Sequence, residues 1–275
     1  TEARERRIVR FEIGHPLEQS FEVERALKKR FGLPHAWVAA STEESNPARE
    51  VGAIAAEAIS QAGGPHSMVA LSNGTSVAAV VANMPRMQWS RSVVVQMIGS
   101  LGGTDHHLVD SPELCRSLAH RLGGTFRPWP LPIIVSSAQT AKAALREEMV
   151  LTTLELAARS DIAVVGVGAV GRGGSSGTIL KPFLTARVND EIRRSRAVAH
   201  VSGHHFDARG RHVHTSLCDR TIAMPPQRLA DVGLPILVAW GVSKVAAIHA
   251  LMQADLGLSL ATDEATAKLL LTYEP

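Results

Sequence analysis

The residues best placed to do chemistry lie in Met68-Val-Ala-Leu-Ser-Asn-Gly-Thr-Ser-Val-Ala-Ala-Val-Val-Ala-Asn-Met84. An apolar run, Met68 to Leu71, meets a small polar turn, Ser72 to Ser76, that leads at once into helical spacing. This order predicts a buried strand, a tight loop and a helix starting at Thr75. The first N–H groups of a helix lack intrahelical partners, and the macrodipole adds partial positive charge there. Gly74 lets a ligand approach the backbone, while Asn73, Thr75 and Ser76 carry further donors. Such a site suits an anion, most obviously a phosphate. An ordinary helix cap by Ser or Asn explains the same residues as well, so other segments must decide.

Gly241-Val-Ser-Lys244 follows an aliphatic run, Leu234 to Ala239, and opens another helical pattern. A lysine in the first helical turn opposes the dipole at a cost of about 0.3–1 kcal/mol. A charge-assisted contact to a phosphate contributes about 1.5–3 kcal/mol and outweighs that cost. The alternative is an exposed lysine of no consequence. Two other loops suit a polar ligand: Ile98-Gly-Ser-Leu-Gly-Gly103 and the glycines from Val165-Gly-Val-Gly168 to Gly177. Asp110, before Ser111-Pro112, reads as a helix cap or as a hydroxyl ligand. The glycines after Val165 superficially suggest a dinucleotide fingerprint. No acidic residue ends a following strand to hold a ribose, so NAD is rejected and no cofactor is assigned.

His204, His205, His212 and His214 lie within eleven residues, with Asp207 between them. In a hairpin, His212 and His214 point to one face and one of the other pair could oppose them, enough for a zinc ion. Histidine is also common in half-exposed strands, and the chain has 12, so no metal ligand is assigned from this cluster. Cys115 and Cys218 lie far apart and outside any metal-ligand spacing.

The elements that must position these residues follow from the apolar pattern. With 275 residues, 45% hydrophobic and 20% charged, the chain has the composition of a soluble globular protein rather than a disordered one. No apolar stretch reaches the roughly 20 residues of a membrane helix, and the start resembles no secretion signal. With two cysteines and no disulfide framework, a reducing cytoplasm is the expected setting. A net charge of +3 does not describe a broad nucleic-acid surface, although Arg4, Arg6, Arg7 and Arg10 crowd the first ten residues.

Strands are expected at Ala36–Ala40, Met68–Leu71, Val93–Ile98, Pro132–Val135, Ile162–Val167, Leu234–Ala239 and Leu256–Leu260. Helices are expected over Leu17–Phe31 and about 47–62, from Thr75, over Pro112–Arg121, and over about 138–159, 243–254 and 263–271. Asp207-Ala-Arg-Gly210 separates Val198–Phe206 from His212–His214 as a hairpin turn. Aliphatic strands, each followed by a helix, argue for a parallel sheet covered on both faces. Ligands then sit beyond the strands' carboxyl ends. One α/β unit over 1–275 is expected, with 1–10 as a linker.

Asn73-Gly-Thr-Ser76, Gly99-Ser-Leu-Gly102, Gly166-Val-Gly168, Phe206-Asp-Ala-Arg-Gly210, Gly241-Val-Ser-Lys-Val-Ala-Ala-Ile248 and Thr262-Asp-Glu-Ala-Thr-Ala267 occur in that order. Together, over about Ile8 to Leu271, they resemble the sugar-binding domain of SorC/DeoR-type bacterial transcription regulators. The resemblance implies a Rossmann-like, doubly wound sheet related to the sugar-phosphate isomerase/deaminase fold. It implies a sugar or phosphosugar effector, assembly as a homodimer or homotetramer, and DNA binding through a helix-turn-helix module ahead of Thr1. By that likeness Gly74, Thr75 and Ser76 hold a phosphate completed by Lys244, and Gly99 and Asp110 line the sugar; Asn73 and Gly168 are further candidate ligand-binding residues. Ile98 stands where some relatives carry an arginine, which disfavours a second phosphate. His200 stands where family members often carry an acidic residue, so the effector does not transfer from relatives. The related enzymes need a tuned carboxylate base, whereas Gly168 to Leu180 holds no Asp, Glu or His and only Arg172 as an ionisable group. The reading is therefore a sensor; an isomerase- or deaminase-like enzyme is the alternative.

Overall fold

A computed structural model describes residues 19–40, 46–102, 107–171, 180 and 183–275. The N-terminal arginines, Leu17, and the loop residues 172–179 discussed above lie outside them. Among the described residues no helix is long and apolar enough to cross a membrane.

Seven strands form one parallel sheet: β1 (Ala36–Ala39), β2 (Met68–Leu71), β3 (Val93–Gln96), β4 (Thr125–Arg127), β5 (Ile162–Val165), β10 (Leu234–Val238) and β11 (Ser259–Asp263). Their order is β1-β11-β10-β5-β2-β3-β4, with every neighbouring pair parallel. From β2 the chain moves outward through β3 and β4, then returns to β5 on the other side of β2. The reversal between β2 and β5 opens a crevice at their carboxyl ends. This is the parallel sheet expected from the apolar runs, in the doubly wound order that the resemblance implies.

Alternate side chains of each strand enter opposite cores. Val69, Leu71, Ile162 and Val164 pack with Val51, Ile54 and Ile59 of α2 (Pro47–Ala62), Val77 and Val80 of α3 (Thr75–Asn83), and Leu114 and Leu118 of α4 (Ser111–Leu122). Ala70, Ala163 and Val165 pack on the other face. Their partners include Leu27 of α1 (Phe21–Phe31), Leu154 of α6 (Glu148–Ala158), Ile248 and Leu251 of α8 (Val245–Gln253), and Leu270 of α9 (Glu264–Thr272). α5 (Ala138–Ala144) precedes α6. A second, antiparallel sheet joins β6 (Gly168–Ala169), β7 (Ala197–Val201), β8 (His204–Asp207) and β9 (His212–Val213), preceded by α7 (Ala186–Arg194).

Several expectations need correction. Pro132–Val135 is not a strand; it makes only isolated bridges, Ser100 to Pro132 and Ile134 to Thr221. Proline has no N–H to donate, and Ile133 and Ile134 fill a satellite core with Ile98, Leu180 and Leu217 instead. β4 was missed because this short edge strand, Thr125–Arg127, carries little apolar signal. The strand read at Leu256–Leu260 lies at Ser259–Asp263, after a turn through Gly257 at φ 65°. Val198–Phe206 is two strands, divided at Ser202-Gly203, both at positive φ. The turn at 207–210 formed as expected, with Gly210 N–H bonding the Asp207 carbonyl at 3.0 Å.

The start of α3 is held by a close helix crossing: a Cβ on Gly52 of α2 would lie 2.6 Å from the Ala79 carbonyl oxygen of α3. Helix propensity alone favours Ala over Gly by about 1 kcal/mol. Overpacking against backbone costs about 1–3 kcal/mol and wins. Gly52→Ala is therefore expected to lower the urea midpoint with an unchanged m-value. A raised midpoint would contradict this close packing.

Candidate functional site

Parallel pairing brings two loops level at the crevice. Val69 and Leu71 of β2 face Ile162 and Val164 of β5, and Ser72 N–H continues the ladder to the Val164 carbonyl at 3.1 Å. The next residues of each strand, Ser72 to Ser76 and Gly166 to Gly168, then line one pocket of about 110 Å³. Val109, Ile133 and Leu180 supply apolar wall, and His200, Ser202, Gly203 and Lys244 complete the lining.

Gly74 sits at φ 106° as the residue before α3. Among the described residues no side chain caps this helix, so its first amides keep their donor capacity. The Gly74 amide itself is used, donating to the Val109 carbonyl at 2.9 Å. Ser76 is buried, Thr75 is exposed, and the Asn73 Nδ2 is buried with no partner among the described residues.

His200 is the most unusual group. It is 8% exposed, and both ring nitrogens are buried without a hydrogen-bond partner among the described residues. The antiparallel register sets Gly168 of β6 directly opposite it, and a Cβ on Gly168 would lie 2.0 Å from His200 Nε2. Gly168 thus makes room for the imidazole. Burial, then the nearby His205 and Lys244, hold the His200 pKa down to about 3, so the ring is neutral at ordinary pH.

Lys244 arrives from the far side of the sheet, after β10 and a short 3-10 turn, Val242–Lys244. Its loop is anchored by α9: Asp263 Oδ1 accepts from Thr266 N–H at 2.8 Å, and Thr266 Oγ1 donates to Asp263 Oδ2 at 2.6 Å. The same hydroxyl oxygen accepts the Gly241 N–H at 2.7 Å, where Gly241 adopts φ 99°. The ammonium lies 5.7 Å from the Trp240 ring centroid, with no carboxylate of the described residues within 4.0 Å. Burial lowers its pKa. A desolvated, unpaired cation is costly and is relieved by a bound anion.

The structure therefore brings together Asn73, Gly74, Thr75, Ser76, Gly168, His200 and Lys244. Gly99 and Asp110 lie outside the lining. Gly99 admits the Pro132–Ile133 backbone, which a Cβ would meet at 2.6 Å. Asp110 serves as a cap and loop clamp, accepting from Ser111 N–H and Leu101 N–H, each at 2.8 Å, and from the Ser100 hydroxyl. Ser202 and Gly203 were not read as site residues, although the Ser-Gly pair was a visible turn signal. The apolar lining residues carry no such signal.

His200 ties stability to pH. Unfolded, an imidazole titrates near 6.5; folded, this one titrates near 3, facing His205 and Lys244. Between those values the unfolded chain binds more protons, so stability falls as pH drops below about 6.5. From pH 7 to 5 this group accounts for about 2 kcal/mol. His200→Gln is expected to flatten the pH dependence of urea unfolding by that amount. An unchanged slope would show that His200 is not held neutral.

Comparison with known proteins now bears on this pocket. The family model described as "Putative sugar-binding domain" matches residues 15–272. The erythritol catabolism regulatory protein EryD of Brucella abortus (strain 2308) is 26% identical over 266 residues, covering 96% of this chain and 83% of that protein. The deoxyribonucleoside regulator of Bacillus subtilis (strain 168) is 26% identical over 275 residues, covering 98% of this chain and 85% of that protein. The full-length sorbitol operon regulator SorC from Klebsiella pneumoniae shares the fold, with a TM-score of 0.84 and 23% identity over 98% of this chain and 87% of that one. A parallel sheet with a small antiparallel sheet beside its switch-point pocket, and a family match over nearly all of the sequence, place this chain in the sugar-binding domain family of SorC/DeoR-type transcriptional regulators.

Proposed function

We propose that the pocket binds a small phosphorylated sugar as an effector, with the phosphate between the start of α3 and Lys244. The observation that carries this reading is the convergence of unspent polar groups in one small cavity. Among the described residues they are a helix start without a side-chain cap, the buried Asn73 amide, an unpartnered imidazole and an ammonium with no carboxylate beside it. The helix start and Lys244 suit the anion. His200, neutral, can donate from one nitrogen and accept at the other, which suits sugar hydroxyls.

The domain acts as sensor and oligomerisation unit of a transcription regulator, with DNA bound by a separate helix-turn-helix module. Effector binding shifts the population of subunit arrangements, and that sets the spacing of the DNA-binding modules. The alternative, an isomerase- or deaminase-like enzyme, needs a base beside the sugar. No Asp or Glu occurs among the described lining residues, and His200 has its basicity suppressed. These observations favour the sensor.

A thermal-shift panel of sugars, polyols and their phosphates is expected to yield a phosphorylated ligand that raises Tm with concentration. Lys244→Ala is expected to weaken that ligand by about 1.5–3 kcal/mol, roughly tenfold to over a hundredfold in Kd by calorimetry, with the apo-protein melting much as before. Unchanged affinity would remove Lys244 from the site, and product formation from any panel member would overturn the sensor reading.

A further inference from the structure

We propose that His204, His212 and Cys218 form a site for one transition-metal ion, most naturally Zn²⁺. Three separate elements deliver the ligands: β8, β9 and the 3-10 turn Cys218–Arg220. His204 Nδ1 lies 3.1 Å from His212 Nε2, which lies 3.9 Å from Cys218 Sγ, and all three atoms fall within 4.8 Å of one another. A tetrahedral zinc ion with N at about 2.0–2.1 Å and S at about 2.3 Å separates its ligand atoms by about 3.3–3.6 Å. The two measured edges need adjustments of only a few tenths of an ångström to reach that range, roughly.

Of the neighbouring groups, His214 and Asp207 are engaged elsewhere, and His205, whose Nδ1 has no partner among the described residues, is not among the three ligand atoms that cluster. His214 Nε2 pairs with Asp219 at 2.8 Å. Asp207 is taken by Arg211 and by the Arg209 and Arg211 amides. His205 is buried, with its ring 6.0 Å from that of His200. Cys218 is buried while His212 is exposed, so one side of the cluster is open for an ion to enter and for water to take a fourth position. Without an ion, the thiol faces the Thr215 hydroxyl at 3.4 Å and the Val213 carbonyl at 3.8 Å. Binding releases the thiol proton to solvent as the thiolate takes the ion. Two imidazoles and a thiolate suit Zn²⁺, or its spectroscopic substitute Co²⁺, and disfavour Mg²⁺ or Ca²⁺. The ion would pin β8, β9 and the turn beside the pocket, without requiring any effector.

The test uses the untagged full chain with Zn²⁺ and Co²⁺ alone. Expected are one Zn²⁺ per chain by calorimetry, a Tm that rises with Zn²⁺, and a sulfur-to-cobalt charge-transfer band. Cys218→Ser is expected to abolish the band, while Cys115→Ser keeps it. His204→Ala and His212→Ala each weaken Zn²⁺ by at least about tenfold, as removing even an outer partner of a metal ligand does. His214→Ala leaves affinity unchanged and controls for histidine loss in the same hairpin. Circular dichroism confirms that each variant compared is folded. Absence of stoichiometric Zn²⁺ binding by the wild-type chain would overturn the site, as would a cobalt band that survives Cys218→Ser. Both outcomes are independent of whether a phosphosugar binds.

Discussion

Hydrogen-bonding groups taken out of water must find partners, and an unpartnered buried polar group costs about 1–3 kcal/mol. Most of this molecule obeys that constraint: Asp110, Asp263 and Asp207 each spend their carboxylates on nearby amides or hydroxyls. Single buried atoms without a partner among the described residues occur at Ser92, His205, His249, Ser259 and Thr262, but the switch-point pocket gathers several polar groups in one cavity. There, among the described residues, both buried His200 nitrogens and the Asn73 amide have no partner, and Lys244 sits partly desolvated with no carboxylate beside it. Under the proposed function a ligand completes this bonding with one anionic end and several hydroxyl-like donors and acceptors.

What holds the deficit open is rigid scaffolding outside the pocket. The Asp263–Thr266 pair at the start of α9 holds the Gly241 loop, and that loop presents Lys244. From Lys244, α8 runs nine residues to Gln253 and Ala254, where the hairpin turn packs so tightly that a Cβ on Gly210 would lie 2.5 Å from backbone. One helix therefore starts directly after Lys244 and ends against the turn of the second sheet. The second sheet in turn carries His200 and the Ser202-Gly203 turn into the pocket wall. Gly203 packs against Thr221, with a Cβ there lying 2.9 Å from its methyl group, so the wall is braced from behind as well. A ligand bound as proposed against His200 and Lys244 would act on elements that are packed together, as the proposed sensor requires.

Much of this was legible from residue order alone. Aliphatic runs with helices between them specified a parallel sheet, because only strands buried on both faces dispense with polar alternation. Gly74 and Lys244 stood out as residues that could face an anion, and the fold lines one pocket with both. Asp110 and Gly99 looked alike as loop residues, yet the folded chain spends one on amides and the other on the Pro132–Ile133 backbone.

Local sequence determined most of the parallel strands, the Asp110 cap and the turn at 207–210, since these depend largely on contacts within a few residues. Tertiary structure alone decided that Gly168 faces His200, that His214 is drawn to Asp219, and that Cys218 joins His204 and His212. Those juxtapositions arise from strand register and from turns between sheets, where a shift of one residue sends a side chain to the opposite face.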